Sequence, residues 1–512
     1  MIVVYHHQNT VATVLDLENG SAIAVPDSGN IARSLLRLAT NNPDRLLLWC
    51  DTNYREELHL EKIAKLFSHK KRMLSYGIGN FIPDAIGYVD ESLFANPNRN
   101  VTFPTWQMHV TVGGIYAETL NALKGIKADR NFAYFLCSLA KCGMVTGLEC
   151  CSEPSLLRKQ LDPKIKTGPK ASNQLLFQFV KQQYRSRWIL MLLLNLFLYE
   201  RKVTLFPLMS ALLYKRRILS GVALNNSTEP ITDIKPFAFD VIIPTIGRKM
   251  FLYDVLRDLS AQTLKPKRVI LIEQNPVADT SSELDYLTKE SWPFEIIHRF
   301  IHQTGACNAR NIALSLVQSE WVFLADDDIR FQSDFLEQAS REIDKTGGKA
   351  FTLSCLQKDD IPKYTNRLQW ENFGSGCSIV HRDALQGLKF DMRFENGFGE
   401  DTDFGMQLRN KGYDILYLPQ PEILHLKAPV GGFRTRPVLE WQNDEVQPKP
   451  SPTVMLFRLL HYTKQQLLGY KTTLCIKFYT IQSDKNPIRY YKKFRKAWNR
   501  STYWANVLKE RS

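Results

Sequence analysis

The run Trp321-Val-Phe-Leu-Ala-Asp326-Asp327-Asp328 closes an apolar strand with three consecutive carboxylates. Open α/β sheets bind their ligands outside the carboxyl ends of the strands, which is where this run delivers its acids. Clustered carboxylates are hard oxygen ligands; they suit Mg²⁺ or Mn²⁺, and those ions suit a diphosphate. Three aspartates taken alone read more readily as a solvated acidic turn, so their neighbours decide.

The neighbours form an ordered α/β series. Phe239-Asp-Val-Ile-Ile-Pro244 is a strand that leads into an amphipathic helix bearing Leu252, Val255, Leu256 and Leu259. Arg268-Val-Ile-Leu-Ile-Glu273 is the next strand, and the βαβ order continues to Trp321, which argues a largely parallel sheet. Pro244, Thr245 and Arg248 stand at the first strand end, where backbone N–H groups and the guanidinium meet a nucleotide. Glu273-Gln-Asn275 offers polar groups to a base or ribose, and the helix start at Gly305–Asn308 with Arg310 offers donors to phosphate oxygens. Farther on, Gly397-Phe-Gly399-Glu400-Asp401-Thr-Asp403 places three carboxylates behind glycines at a helix start. A helix amino terminus favours a charged carboxylate, so a general base fits there; an ordinary acidic helix start fits as well.

Together these stretches resemble the family 2 glycosyltransferases of the GT-A fold, from about Phe237 to Leu426. The resemblance rests on IPTIGR, NAR-N, ADDD, GFGEDTDFG and His425 in that order, and GFGED-x-D is also similar to the acceptor half of galactosyltransferases. It implies a GT-A (nucleotide-diphospho-sugar transferase) domain with a mixed, mostly parallel sheet. It further implies Asp326 and Asp328 as the D-x-D pair for donor and metal, with His425 as a further metal ligand. Donor contacts would come from Pro244, Thr245, Arg248, Glu273, Arg310, Asp326 and Asp327. Asp401 would be the catalytic base, with Glu400 the acid beside it and Gly399, Glu400 and Asp403 on the acceptor. The implied cofactor is a divalent cation (Mn²⁺ or Mg²⁺), and the implied reaction is inverting sugar transfer to a saccharide or lipid-linked acceptor in cell-surface polysaccharide synthesis. Glu273-Gln-Asn-Pro departs from the usual Asp-Asp/Asn-Gly-Ser, which leaves the base open, uridine being usual.

The 512 residues divide, on this reading, into four parts. Residues 1–158 form a smaller α/β domain, 159–235 an apolar helical segment ending in a linker at Asn225–Pro230, 236–430 the catalytic domain, and 431–512 a basic, aromatic-rich helical extension. Nine cysteines without paired metal-ligand spacing, two of them adjacent (Cys150-Cys151), indicate a reducing compartment. The start Met1-Ile-Val-Val-Tyr-His-His lacks a basic n-region and a long apolar run, so no signal peptide is expected.

Net charge is +14, and residues 449–512 alone hold fourteen Lys/Arg against Asp484 and Glu510. A basic tail with apolar residues at helical spacing fits an anionic membrane surface; nucleic acid is the alternative partner, disfavoured by the absence of a nucleic-acid module. Trp188–Tyr199 is uncharged but shorter than the roughly 20 residues a spanning helix needs. With Val203–Tyr214 and basic flanks, residues 188–214 read as an interfacial segment, a buried core helix being the alternative for the first piece. The expected location is cytoplasmic, peripheral at the membrane face. Expected partners are a nucleotide-diphospho-sugar (UDP-linked), the acceptor, the membrane surface, no nucleic acid, and a second copy of the chain as a homodimer. A nucleotidyltransferase of similar topology is the competing enzyme, and a non-catalytic scaffold or basic binding protein the competing non-enzyme.

The first domain echoes the second. Arg33 to Asp51 spans the same eighteen positions as Arg310 to Asp328, Gly113-Gly-Ile-Tyr resembles Gly376-Cys-Ser-Ile, and Phe135, Leu139 and Gly143 repeat the spacing of Phe404, Leu408 and Gly412. In that register Asn131, Phe132 and Tyr134 replace Glu400, Asp401 and Asp403. A truncated, non-catalytic copy is one reading, with acceptor binding, packing or dimer formation as its role; coincidence between two α/β domains is the other.

Overall fold

In the computed structural model, residues 1–123, 125–162, 168, 170–219, 237–429, 438–483 and 485–511 are described. The linker expected at Asn225–Pro230 and the boundaries at 235/236 and 430/431 lie outside them. Packing divides the chain into two units, Met1–Ser227 with Tyr462–Ser483, and Thr228–His461 with Asp484–Ser512.

In the first unit, β1 (Ile2–His7) returns as an antiparallel hairpin into β2 (Thr10–Asp16) and the short β3 (Ala22–Ile23). Helix Ile31–Asn41 then leads to β4 (Leu46–Asp51), parallel to β1. The remaining strands are β5 (Arg72–Tyr76), β6 (Phe103–Pro104), β7 (Val112–Tyr116) and β8 (Glu149–Ser152). The sheet order is β3-β2-β1-β4-β7-β5-β8-β6, with β7 antiparallel to both neighbours. Alternate residues face opposite cores, as the two-residue strand period requires: Ile2, Val4, Leu47 and Trp49 pack with helix Phe132–Met144, while Val3, Leu46, Leu48 and Cys50 pack on the other side.

The segment expected to lie in a membrane interface packs on this unit with one face only. In helix Arg187–Glu200, Ile189, Leu192 and Leu196 are buried in the core, while Leu190, Phe197 and Leu198 are exposed. In and around helix Leu205–Leu212 the exposed apolar residues include Phe206 (73% exposed), Met209 and Leu213 (86%). No described helix is long and apolar enough to cross a membrane.

In the second unit, β9 (Phe239–Thr245), β10 (Arg268–Gln274), β11 (Glu295–Ile301) and β12 (Trp321–Ala325) run parallel. The sheet continues through β13 (Ile329–Arg330), β14 (Ala350–Leu356), β15 (Leu368–Gln369), β16 (Cys377–His381) and β17 (Leu416–His425). The order is β11-β10-β9-β12-β16-β14-β17-β13, with β16 antiparallel to its neighbours and β15 pairing with β17. This is the GT-A arrangement, a mixed and mostly parallel sheet. The parallel strands are near-continuous apolar runs because both faces are covered. Val241, Ile243 and Phe323 meet helix Lys249–Ala261, and Ile242, Val322 and Leu324 meet Phe404 and Leu408 of helix Glu400–Asn410.

The tail is built into these units. Helix Pro452–His461 buries Met455, Leu456 and Phe457 and packs against helix Pro487–Lys509, which buries Tyr490, Phe494, Trp498 and Leu508. Helix Lys464–Ile481 belongs to the first unit, where Gly469 lies against the Tyr88 backbone. Much of the apolar periodicity expected to face a membrane is therefore spent on packing, while Lys492, Lys493, Arg495 and Lys496 stay exposed. All nine cysteines are free thiols.

Candidate active site

The aspartate triplet emerges from β12 at the carboxyl edge of the parallel strands. There it enters a cavity of about 420 Å³ that gathers Pro244, Thr245, Arg248, Arg310, Asp326–Asp328, Glu400, Asp401 and His425. Residues distant in sequence thus meet because β9, β12 and β17 all end at one edge and helix Glu400–Asn410 begins there.

The three aspartates have different partners. Asp327 accepts hydrogen bonds from Thr245 Oγ1 and Arg248 Nη1, each at 2.6 Å. Burial nevertheless pushes its pKa up to about 6. Asp328 accepts from the Ala428 backbone N–H at 2.8 Å and lies 3.4 Å from His425 Nε2. Burial pushes Asp328 up, but His425, the Ala428 N–H and Arg248 outweigh it and hold the group at about 2. The same hydrogen bond pushes His425 upward. Asp326 accepts from Arg310 Nη2 at 3.1 Å, and a Cβ at position 376 would sit 2.0 Å from its Oδ2, so Gly376 is required beside it.

Asp326, Asp328 and His425 present one ligand atom each within 4.8 Å of one another. Two carboxylate oxygens and an imidazole nitrogen fit a divalent cation such as Mn²⁺ or Mg²⁺. Asp327 is turned instead to Thr245 and Arg248.

Across the cavity, helix Glu400–Asn410 starts after Gly399, whose φ of 112° suits glycine. Burial and then the Asp401 charge push Glu400 up to about 7. Burial also raises Asp401, against the pull of Arg310 and a hydrogen bond from Ser375. Asp401 Oδ1 is buried and has no hydrogen-bond partner among the described residues.

Three expected site residues stand elsewhere. Asp403 is buried beneath the helix, 2.7 Å from His461 Nε2, and also accepts from Gln407 at 2.8 Å. Gly399 supplies the turn and stands outside the cavity lining. Glu273 lines an adjoining cavity of about 320 Å³ with Thr245, Asn275 and Glu283. Its carboxylate is engaged by His298 at 2.9 Å and by the Glu283 N–H at 3.3 Å.

The helix start expected to receive phosphate is taken by the protein's own carboxylate. Glu395 accepts from the N–H groups of Cys307 (3.2 Å) and Asn308 (2.8 Å). A carboxylate satisfies helix-start donors as a phosphate does. Arg310 remains on the cavity. Glu395 and Ser375 carried no sequence signal, since each is recognisable only by what it touches. His461 was equally hidden: Phe398 N donates to Thr453 Oγ1 at 3.0 Å, so helix Pro452–His461 braces the Gly397–Asp403 loop.

Residues 240–406 match the family described as Glycosyl transferase family 2, so this segment is a family 2 glycosyltransferase domain. The chain is 24% identical over 169 residues to the GalNAc(5)-diNAcBac-PP-undecaprenol beta-1,3-glucosyltransferase of Campylobacter jejuni, covering 30% of this chain and 55% of that one. The chain thus spans about half the length of that relative. Among solved structures it is similar to S. aureus TarS 1-349 in complex with UDP-GlcNAc (16% identity, TM-score 0.34, 51% of this chain and 72% of that chain). It is also similar to GalNAc-T7 with UDP, GalNAc and Mn2+ (14% identity, TM-score 0.36, 53% and 56%).

Proposed function

We propose that the second unit is an inverting, metal-dependent glycosyltransferase that moves a sugar from a UDP-linked donor to a hydroxyl of a saccharide or lipid-linked acceptor. One observation carries this reading: Asp401, whose buried Oδ1 has no hydrogen-bond partner among the described residues, lines the same cavity as the Asp326/Asp328/His425 cluster. A base and a cation site on one cavity are what a single displacement at an anomeric carbon needs.

Asp326, Asp328 and His425 would hold the divalent cation, which when bound neutralises the diphosphate of the leaving group. Arg310 and Arg248 add positive charge on the same side. The adjoining cavity with Glu273 and Asn275 receives the nucleobase. Asp401 accepts the proton of the acceptor hydroxyl as its oxygen forms the new bond to the anomeric carbon. The bond from that carbon to the diphosphate breaks, and the nucleoside diphosphate departs. The raised pKa of Asp401 serves this role, because a stronger base accepts the proton more readily. Glu400 lies beside it as the acceptor contact. A nucleotidyltransferase leaves the Glu400–Asp401 pair without a task.

The exposed apolar residues of 188–214, with Arg187, Arg201, Lys202 and Lys215 around them, support peripheral binding to an anionic, cytoplasmic membrane face. A lipid-linked acceptor would be available at such a face. The test is a nucleotide-sugar panel with Mn²⁺ or Mg²⁺, read as nucleoside diphosphate release by the wild type and by Asp401→Asn.

A further inference from the structure

The two units place their strands in the same register. Aligning Arg33 with Arg310 carries Leu47 onto Leu324, and aligning Gly113 with Gly376 carries Ile115 onto Ser378. Leu47 pairs with Ile115 across β4 and β7, and Leu324 pairs with Ser378 across β12 and β16. The sequence echo thus predicts a cross-strand pairing that it does not contain. The strand directions agree as well: β1-β4-β7-β5-β8 repeats the parallel, antiparallel, antiparallel, parallel pattern of β9-β12-β16-β14-β17. The β2 hairpin stands where β10 and β11 stand in the second unit.

The alignment also shows what became of the site. Trp49 occupies the position of Asp326, and a Cβ on Gly113 would sit 2.3 Å from its indole ring, just as one on Gly376 would strike the Asp326 carboxylate. The indole is fully buried and donates to the His109 carbonyl at 3.0 Å. The Asp326 half of the cation station is therefore filled by an aromatic ring, while Asp51, which aligns with Asp328, keeps its carboxylate and accepts from the Asn53 N–H at 2.9 Å. On the base side, Asn131 and Phe132 replace Glu400 and Asp401.

A cavity of about 310 Å³ nevertheless survives at the matching sheet edge. It lies between the end of β1, the end of β5, the entry to β7 and the start of helix Phe132–Met144, and Gln8, Asn9, Asn80, Phe81, His109 and Asn131 line it. Among the described residues, no carboxylate and no Lys or Arg lines it. Burial and the nearby Arg99 push His109 down to about 3, so the imidazole is neutral. Three of the amide oxygens are tied: Asn9 to Phe132 N (3.2 Å), Asn131 to Tyr134 N (2.9 Å) and Asn80 to Arg99 Nη2 (2.7 Å). Their NH₂ groups are the donors left for whatever fills the cavity, with the Phe81 ring beside them. Uncharged donors next to an aromatic face suit the hydroxyl and acetamido oxygens of a sugar.

We propose that the first unit is a truncated copy of the second whose cavity binds a neutral saccharide without metal, holding the acceptor glycan apart from the transfer site. The choice of ligand rests on the sugar-transfer reading. The test is an array of neutral hexose and N-acetylhexosamine oligosaccharides probed with the full chain in EDTA. Wild type and Asp401→Asn retain the same glycans, whereas Asn80→Asp and Asn131→Asp weaken retention at least tenfold. The carboxylate introduced by Asn131→Asp still caps the helix, so that variant keeps the fold. Hydrolysis of the nucleotide sugar with Mn²⁺ is unchanged in both Asn variants. No retained neutral glycan, or equal retention by both Asn variants, overturns the proposal. Loss of donor hydrolysis in the wild type would instead count against the sugar-transfer reading.

Discussion

His425 Nε2 lies 3.4 Å from Asp328 Oδ1, so the last strand of the catalytic sheet closes onto the aspartate triplet. The pair shares one face with Asp326 and sets the first prediction. Asp328→Asn or His425→Ala should raise the Mn²⁺ concentration needed for half-maximal activity at least tenfold, and EDTA should abolish turnover in the wild type. Metal titration of activity checks this; mutants with the wild-type metal requirement would remove the pair as ligands.

Glu400 gives a prediction in pH. Its folded pKa, raised from 4.5 to about 7, means that the folded chain keeps a proton the unfolded chain loses. Stability from this group is present at acid pH and falls as pH rises through the window from about 4.5 to 7. Glu400→Gln removes that loss. Its melting temperature should exceed the wild type's at pH 8, by about 2–4 °C per kcal/mol, and match it near pH 4. Thermal unfolding at the two pH values decides.

How much of this was legible in the sequence depends on what each residue's neighbours are. Phe239–Thr245 and Trp321–Asp328 could be read because buried parallel strands are apolar runs with a polar end. The tail was harder: Leu456 and Trp498 have the spacing of a helix with one apolar face, and that spacing does not say whether protein or lipid covers it. Glu395 and His461 are ordinary residues until the fold brings them to Cys307 and Asp403.

His461 Nε2 lies 2.7 Å from Asp403 Oδ1, and His461 is not among the residues that line the cavity. Removing it leaves a buried carboxylate with fewer partners, a loss of about 1–3 kcal/mol. His461→Ala should therefore lower the melting temperature and reduce kcat more than it raises the donor KM, and His461→Gln should recover part of both. Equal stability of the alanine variant would show that the pair carries no load.

The exposed face of residues 188–214 should bind vesicles containing anionic lipid. Phe206→Asp with Leu213→Asp should cut flotation with such vesicles at least tenfold while leaving the fold intact, because both side chains already face solvent. Unchanged flotation would move the membrane contact elsewhere or eliminate it.

Sugar transfer by the second unit, with Asp401 as its base, is tested most directly by turnover of the purified chain with a panel of UDP-sugars and Mn²⁺, comparing wild type with Asp401→Asn. The expected result is nucleoside diphosphate release by the wild type and a ~10²–10⁴-fold lower kcat in a mutant that melts normally. Near-wild-type turnover in Asp401→Asn would contradict it.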